Sequence, residues 1–537
     1  MTPAKLFGTW KDVPQNLRAE SVQGRVLIAG KILSHGFAYK PVHSVCPVVD
    51  DTGELYFPKL GETPNLSESD FASAVDAAVA AWAKGLGEWP TARMEHRISA
   101  LSTFRNLMIP QRDAVVRLLM WEIAKPKKDA EAEFDRTVKY LDDTIEAAKQ
   151  LDRDSSRIHF AGGIMTQIRR APLGVTLCIG PFNYPLNETF TTLMPALLMG
   201  NTVVVKIPRH GQLFWDYLLP AFKESFPAGV INIVNGLGRG IIGPSVQAGK
   251  IDVLALIGSS QTANKIKQSH PRPNSFRGVL GLDAKNPGII LPDADLGIAV
   301  RECLKGSLSF NGQRCTALKI LFVHRSLQKE FLDRFTAEAD ALKCGLPWHD
   351  GVSITPLPTI EKVRSLQALT DAAVSAGARL ANPSRGAQNV ANLLFPTVLS
   401  DVPLAVAITK EEQFGPVVPI VTYDSKDQLE QYLVDSPFGM QASVFGQDPS
   451  EVGQFIDLLS NLVCRTNINS QCQRGPDVFP FTGRKASAEG TLSVSDALRC
   501  FSIRSMVAAN QDESGKAIFR SVLDKDASRF LSTNIVL

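Results

Sequence analysis

The eight cysteines form no Cys-x-x-Cys pair, and none of the eight histidines stands in a His-x-x-x-His or His-Glu-x-x-His arrangement. No metal centre is therefore expected. No lysine and arginine run reaches the length of a nucleic-acid patch, and the densest cluster, Lys125 to Lys128, is interrupted by Pro126. A formal net charge of +3 over 537 residues is too small to imply nucleic acid or a membrane surface as partner. No apolar stretch approaches the roughly 20 residues of a membrane span, and Met1–Glu20 lacks the charged-then-apolar order of a secretory leader. A cytoplasmic protein with reduced thiols is the expectation. Internal repeats and low-complexity tracts are absent too.

What is present is the composition of a globular protein, 44% hydrophobic and 21% charged, in a chain long enough for two or three domains. The front end reads as helical, with helices over Asp70 to Lys84 and Asp129 to Leu151. In the second, Phe134, Val138, Leu141, Ile145 and Ala148 form one apolar stripe. Apolar runs then follow at Val175–Ile179, Thr202–Ile207, Val230–Val234, Val253–Ile257 and Gly288–Leu291. Most start roughly 25 residues apart, the spacing of βαβ units in a parallel sheet. A second set, at Lys319–Val323, Val417–Val421, Ala442–Phe445 and Val463–Thr466, implies a second α/β domain, with the boundary near residues 281 to 290. Arg157–Arg170 reads as a hairpin turning at Gly162-Gly163. Its exposed edges invite pairing with another chain. The tail from Ser502 reads as a second, loose arm.

Cys315 stands out chemically. It lies in Gly312-Gln-Arg-Cys-Thr-Ala, among polar and small neighbours, ahead of a strand. Arg314 beside it should favour the thiolate that a nucleophile needs. Asn183 and Tyr184 follow the first strand directly and so project from the carboxyl end of a parallel sheet, where ligands bind in such folds. An asparagine amide there can donate to a developing oxyanion, although Asn-Tyr-Pro is also ordinary turn chemistry. Lys206 ends the next strand, and Arg209 is expected at the start of a helix, a pairing that suits a phosphate or a solvated surface.

In order and spacing, Asn183-Tyr184-Pro185, Gly200-Asn-Thr-Val-Val-Val-Lys206, Phe226-Pro-Ala-Gly-Val-Ile-Asn232, Ile257-Gly-Ser259, Lys285-Asn-Pro287, Gly312-Gln-Arg-Cys315 and Glu412-Gln-Phe-Gly-Pro-Val417 resemble the aldehyde dehydrogenase superfamily, over about residues 70 to 505. The resemblance implies an α/β fold with a Rossmann-type cofactor domain (1–156 and 171–281), an α/β catalytic domain (282–500), and a small β oligomerisation arm with the C-terminal tail (157–170 and 501–537). It makes Cys315 the nucleophile and Asn183 an oxyanion donor. Lys206 and Glu412 become ribose contacts, Gly258 and Ser259 the pyrophosphate turn, and Phe414 a neighbour of the nicotinamide. Arg209 stands where NAD-preferring members carry an acid, so NADP is favoured, with NAD possible. A homotetramer or homodimer is also implied.

A narrower likeness, carried by Gly-Gln-Arg-Cys-Thr-Ala and Gln471-Cys-Gln-Arg-Gly-Pro-Asp-Val-Phe-Pro-Phe481, is to the non-phosphorylating NADP-dependent glyceraldehyde-3-phosphate dehydrogenases. It implies that Arg136, Tyr184, Arg314 and Arg474 surround a substrate phosphate, making a small phosphorylated aldehyde the substrate. One departure stands out: the general-base glutamate of Glu-Leu-Gly-Gly-Lys is absent from Gly281-Leu-Asp-Ala-Lys285. Either another carboxylate, such as Asp283 or Glu489, acts as base, or hydrolysis is slow, or a thiol such as coenzyme A accepts the acyl group. A fold kept for binding without turnover is the remaining alternative, opposed by the retention of Cys315, Asn183 and Glu412.

Overall fold

The computed structural model describes residues 3–18, 20–236 and 238–536. Two largely parallel sheets organise them. In the first, five parallel strands run in the spatial order Arg277–Gly281, Val253–Ile257, Val175–Ile179, Thr202–Lys206, Ile231–Val234. Each of the middle three is buried at almost every position, as continuous apolar runs in a sheet covered on both faces should be. The strand Arg277–Gly281 escapes a reading based on apolar runs because its only large apolar residues are Val279 and Leu280.

The second sheet has the order Arg379–Leu380, Thr397–Ser400, Val417–Tyr423, Ile320–His324, Pro287–Ile290, Gln441–Phe445, Arg465–Ile468. Pro287–Ile290, which the run spacing groups with the first series, lies near the centre of this sheet, between Ile320–His324 and Gln441–Phe445. Among the described residues no helix is long and apolar enough to cross a membrane.

Strand order in the first sheet reverses at Val175–Ile179: the chain goes first to one side of it, to Thr202–Lys206, and later to the other, to Val253–Ile257. The loops leaving the carboxyl ends of Val175–Ile179 and Val253–Ile257, which pair directly, diverge and open a crevice at that switch point. One loop carries Asn183 and Tyr184, the other Gly258 and Ser259.

The front end departs from the helical expectation. Val22–Gln23, Tyr39–His43 and Lys59–Pro64 form a three-stranded sheet, while Val26–Ile28 and Lys31–Leu33 extend the edge of the first parallel sheet. These strands are short and interrupted by proline and glycine, so no run or period betrays them. Helices then occupy Glu68–Trp82 and Lys127–Ser155.

The hairpin forms as Ile158–Ala161 and Ile164–Pro172, with Gly162 and Gly163 at φ +56° and +78°, both left-handed as a tight two-residue turn requires. The tail is not loose. Ser502–Asn510 pairs antiparallel along the whole of Ile164–Pro172, and the helix Glu513–Asp524 buries Phe519 against Met165 and Leu531. Partnership with a strand more than 300 residues away cannot be read from local pattern.

Candidate active site

Between the switch point and the second sheet lies a cavity of about 680 Å³. Its wall brings together Arg136, Asn183, Tyr184, Gly258, Ser259, Arg314, Cys315, Glu412, Phe414 and Arg474, drawn from residues far apart in sequence. Lys206 and Arg209 lie outside this wall.

Cys315 follows a short, strained turn. Phe310, Asn311 and Gly312 are consecutively left-handed, at φ +48°, +57° and +68°. A Cβ on Gly312 would fall 2.7 Å from the Ser307 carbonyl oxygen and 2.8 Å from that of Gly415, so only glycine fits. Such a conformation persists only where its surroundings fix it. Here Asn311 bonds both ways with Thr355, at 2.9 to 3.1 Å. Asn286 Nδ2 donates to the Cys315 carbonyl at 2.7 Å, and Lys319 Nζ to that of Arg314 at 2.7 Å.

Burial pushes the Cys315 thiol up to about 12; the Glu188 charge adds to this, while Arg474 and Lys319 partly oppose it. Arg314 does not act as its sequence position suggests. Its Nη2 donates to the Gly306 carbonyl at 2.9 Å and faces Gln471 Oε1 at 3.3 Å.

Asn183 is buried and donates through Nδ2 to the Gln313 carbonyl at 2.8 Å, which sets its amide beside the Cys315 loop. An amide nitrogen carries two donors, and among the described residues the second is unused. Its own loop is held from behind by Glu133, whose Oε1 accepts from the amides of Leu186 and Asn187 at 3.0 and 3.1 Å. The other oxygen of Glu133 takes Lys125 Nζ in a fully buried ion pair. That ammonium lies 3.5 Å from the centre of the Tyr184 ring and 4.7 Å from that of Phe310.

The arginines do not stand as free charges. Arg136 makes a two-pronged pair with Asp477 at 2.6 and 2.7 Å. Arg474, buried over the Phe481 ring at 4.4 Å, pairs with Glu188 and reaches Asp477 at 3.2 Å. Sequence reading misses both carboxylates. Asp477 sits inside a quoted motif and could have been noticed as an acid three residues from Arg474, whereas only the fold turns Glu188 toward Cys315. Arg314 retains an unpartnered, buried Nε.

At the carboxyl end of the strand Thr202–Lys206, burial pushes Lys206 down to about 8, with the nearby Lys40 ammonium adding to the effect. Among the described residues neither Lys206, Lys40 nor Arg209 has a carboxylate in salt-bridge range; Lys40 feels the charge of Arg209 and acts on Lys206, and Arg209 in turn adds to the backbone hydrogen bond that holds the Glu361 carboxyl below its ordinary range. Arg209 is exposed in a loop, not at the start of a helix; the helix begins at Trp215, because Pro208 and the left-handed Gly211 hold the intervening segment in turns. Lys40 comes from the front-end strands that the sequence did not reveal. Ser259 caps the helix Ser260–Ser269, an end suited to an anion, although Asp283 already accepts from the Ser260 amide and hydroxyl at 2.7 and 2.6 Å. Glu412 stands 3.2 Å from Lys319 Nζ, and Phe414 packs against Phe182 at 5.9 Å.

Comparison with known proteins places this fold in a family. The model of the aldehyde dehydrogenase family matches residues 52–507. This chain belongs to the aldehyde dehydrogenase family. The NADP-dependent glyceraldehyde-3-phosphate dehydrogenase of Streptococcus equinus is 30% identical to it, over 82% of this chain and 90% of that one. The enzyme of the same name from Pisum sativum is 30% identical over 80% and 86%. The crystal structure of NADP-dependent glyceraldehyde-3-phosphate dehydrogenase from Bacillus halodurans C-125, complexed with NADP, matches with a TM-score of 0.81 at 29% identity, over 91% of this chain and all of that one.

For an aldehyde dehydrogenase, position 281 is the conspicuous gap. Gly281 ends a sheet strand on the cavity wall, where it can neither take nor give a proton. A Cβ built there meets its nearest neighbour, Leu492, at 3.4 Å, so a side chain could be housed. Neither sequence candidate fills the gap well. Glu489 lies outside the cavity wall, in an ion pair with Lys267, and Asp283 is engaged by the Ser260 amide and hydroxyl.

The raised thiol pKa yields a prediction for the protein without cofactor or substrate. Iodoacetamide should modify Cys315, followed by peptide mass spectrometry, about tenfold faster per pH unit from 7 to 10, as the thiolate fraction climbs toward its midpoint. A plateau by pH 8 would contradict that electrostatic picture.

Proposed function

We propose that the protein oxidises D-glyceraldehyde 3-phosphate to 3-phosphoglycerate with NADP, without inorganic phosphate. The observation that carries this reading is the convergence of Arg136, Arg314, Arg474 and the Tyr184 phenol on the cavity that holds Cys315. A phosphate carries nearly two charges and is held best by guanidinium forks. Relatives bearing the name of that activity support it.

In this reading Cys315, as thiolate, attacks the aldehyde carbon, and the oxygen takes up the charge opposite the spare donor of Asn183 and the Cys315 backbone N–H. Bound NADP supplies the hydride acceptor. The patch of Lys206, Arg209 and Lys40 holds its 2′-phosphate, Glu412 accepts from a ribose hydroxyl, Gly258 and Ser259 meet the pyrophosphate, and Phe414 packs near the nicotinamide. Water then cleaves the thioester on Cys315. Of the carboxylates in the wall, Glu188 has the strongest electrostatic effect on the thiol, and we assign it the activation of that water. Its carboxylate is already engaged by Arg474 and must leave that pair to reach water, so deacylation is the slow step.

A second reading keeps the same acylation and passes the acyl group to coenzyme A. Gly281 favours it, as does the neutralisation of two arginines by Glu188 and Asp477. In either case the hairpin and tail form the oligomer contact of a homotetramer or homodimer, which their exposed Phe160, Ile503 and Met506 support.

The test is stopped-flow absorbance of the reduced cofactor with glyceraldehyde 3-phosphate and NADP, free of inorganic phosphate and coenzyme A. A burst of one equivalent followed by slower sustained turnover is expected, and Gly281→Glu should speed the second phase. A stall relieved by coenzyme A favours the second reading; no burst refutes the substrate. Separately, Arg209→Glu should lower the ratio of kcat/KM for NADP over NAD at least tenfold, and an unchanged ratio would remove Arg209 from the cofactor site.

A further inference from the structure

A second cavity, of about 640 Å³, lies outside the Cys315 site, between the helix Met94–Met108, the hairpin strand Ile164–Pro172 and the tail at Ala527–Phe530. Its wall carries five arginines, Arg93, Arg97, Arg169, Arg170 and Arg529, and one carboxylate, Asp152. Asp152 is taken by Arg169. Arg93 is answered from outside the wall by Asp526 at 2.6 Å. Arg170 spends its donors on the carbonyls of Arg499 and Ser502 at 2.8 and 2.9 Å and on the Ser502 hydroxyl at 2.6 Å.

Arg97 has no such outlet. It is 6% exposed, and its Nε and Nη1 are buried without an acceptor among the described residues. The backbone makes room for it: Gly200 is left-handed at φ +95°, and a Cβ there would fall 2.2 Å from Arg97 Nη1. Burial lowers its pKa to about 10, against the pull of Asp152, so it stays charged at neutral pH. A buried guanidinium without an acceptor is unfavourable by itself, and in the wall of an arginine-rich cavity an arriving anion brings it a counter-charge.

We propose that this cavity binds a phosphate-bearing small molecule, with Arg97 and Arg529 donating to its oxyanion. The volume exceeds that of a single phosphate and lies in the range of sites for small organic ligands. Arginine forks match phosphate oxygens two at a time. Because the wall joins the arm's sheet and the tail to the helix Met94–Met108, the bound molecule ties the oligomerisation arm to the body of the first domain. This assignment is independent of the substrate of Cys315.

Pyrophosphate serves as the probe, titrated calorimetrically at constant ionic strength into the full-length protein saturated with NADP, with inorganic phosphate and AMP as further titrants. One equivalent of pyrophosphate should bind the unmodified protein more tightly than inorganic phosphate does, and Arg97→Met and Arg529→Ala should each weaken it at least tenfold. Arg529 is exposed on the tail, so that variant tests the site even if Arg97→Met folds poorly. AMP binding lost in the same variants would support an organic phosphate as the occupant. Equal pyrophosphate isotherms in all three proteins, or no binding to the unmodified one, would overturn the proposal. So would a changed subunit count in Arg97→Met with pyrophosphate binding intact, since the guanidinium would then serve a contact between subunits.

Discussion

The buried ion pair of Lys125 and Glu133 sets the geometry on which the site depends. Both side chains are fully shielded from solvent, where a charge is tolerated only with a partner and further bonds. Glu133 finds those bonds on the amides of Leu186 and Asn187. Lys125 rests on the faces of Tyr184 and Phe310, a placement that a ring quadrupole favours. One electrostatic unit therefore joins the helix Lys127–Ser155, which carries Arg136, to the loop of Asn183 and to the turn before Cys315. Removing one partner leaves an unpaired buried charge, a change that costs ~3–5 kcal/mol.

From this fixed frame follows the balance of charge around the thiol. Arg136 and Arg474 arrive with their own carboxylates, Asp477 and Glu188, so the cavity is a network of compensated pairs and not a bare cationic cup. Any anion entering the cavity must share donors that are already engaged. The same network keeps Cys315 protonated at rest, with burial and Glu188 outweighing Arg474 and Lys319. Activation then falls to whatever binding adds, in keeping with catalytic hydrogen bonds that tighten only in the complex.

Much of this was legible in the chain. Strands such as Val253–Ile257 announce themselves because a sheet buried on both faces demands unbroken apolar runs, and Gly162-Gly163 announces a turn that few other residues could make. The ordered motifs contribute Asn183, Tyr184, Gly258, Ser259, Cys315, Glu412 and Phe414 to the cavity wall. Lys40 was hidden because its strand is short and carries a proline, and its approach to Lys206 depends on packing between segments over 160 residues apart. Glu188 was hidden for another reason: in the sequence it is one acid on an apolar helix, and only the direction of that helix aims it at Cys315. Arg314 misled because adjacency in sequence says nothing of rotamer, and the end of a neighbouring helix offered its guanidinium the Gly306 carbonyl.

Hydrogen exchange read by mass spectrometry on Glu133→Gln tests the role of the ion pair most directly, since exchange reports local opening segment by segment. The account predicts that protection falls together in residues 183–189 and 310–317, the two segments that share the pair, while the second sheet keeps its protection. Loss confined to the helix Lys127–Ser155, with both loops unchanged, would contradict it.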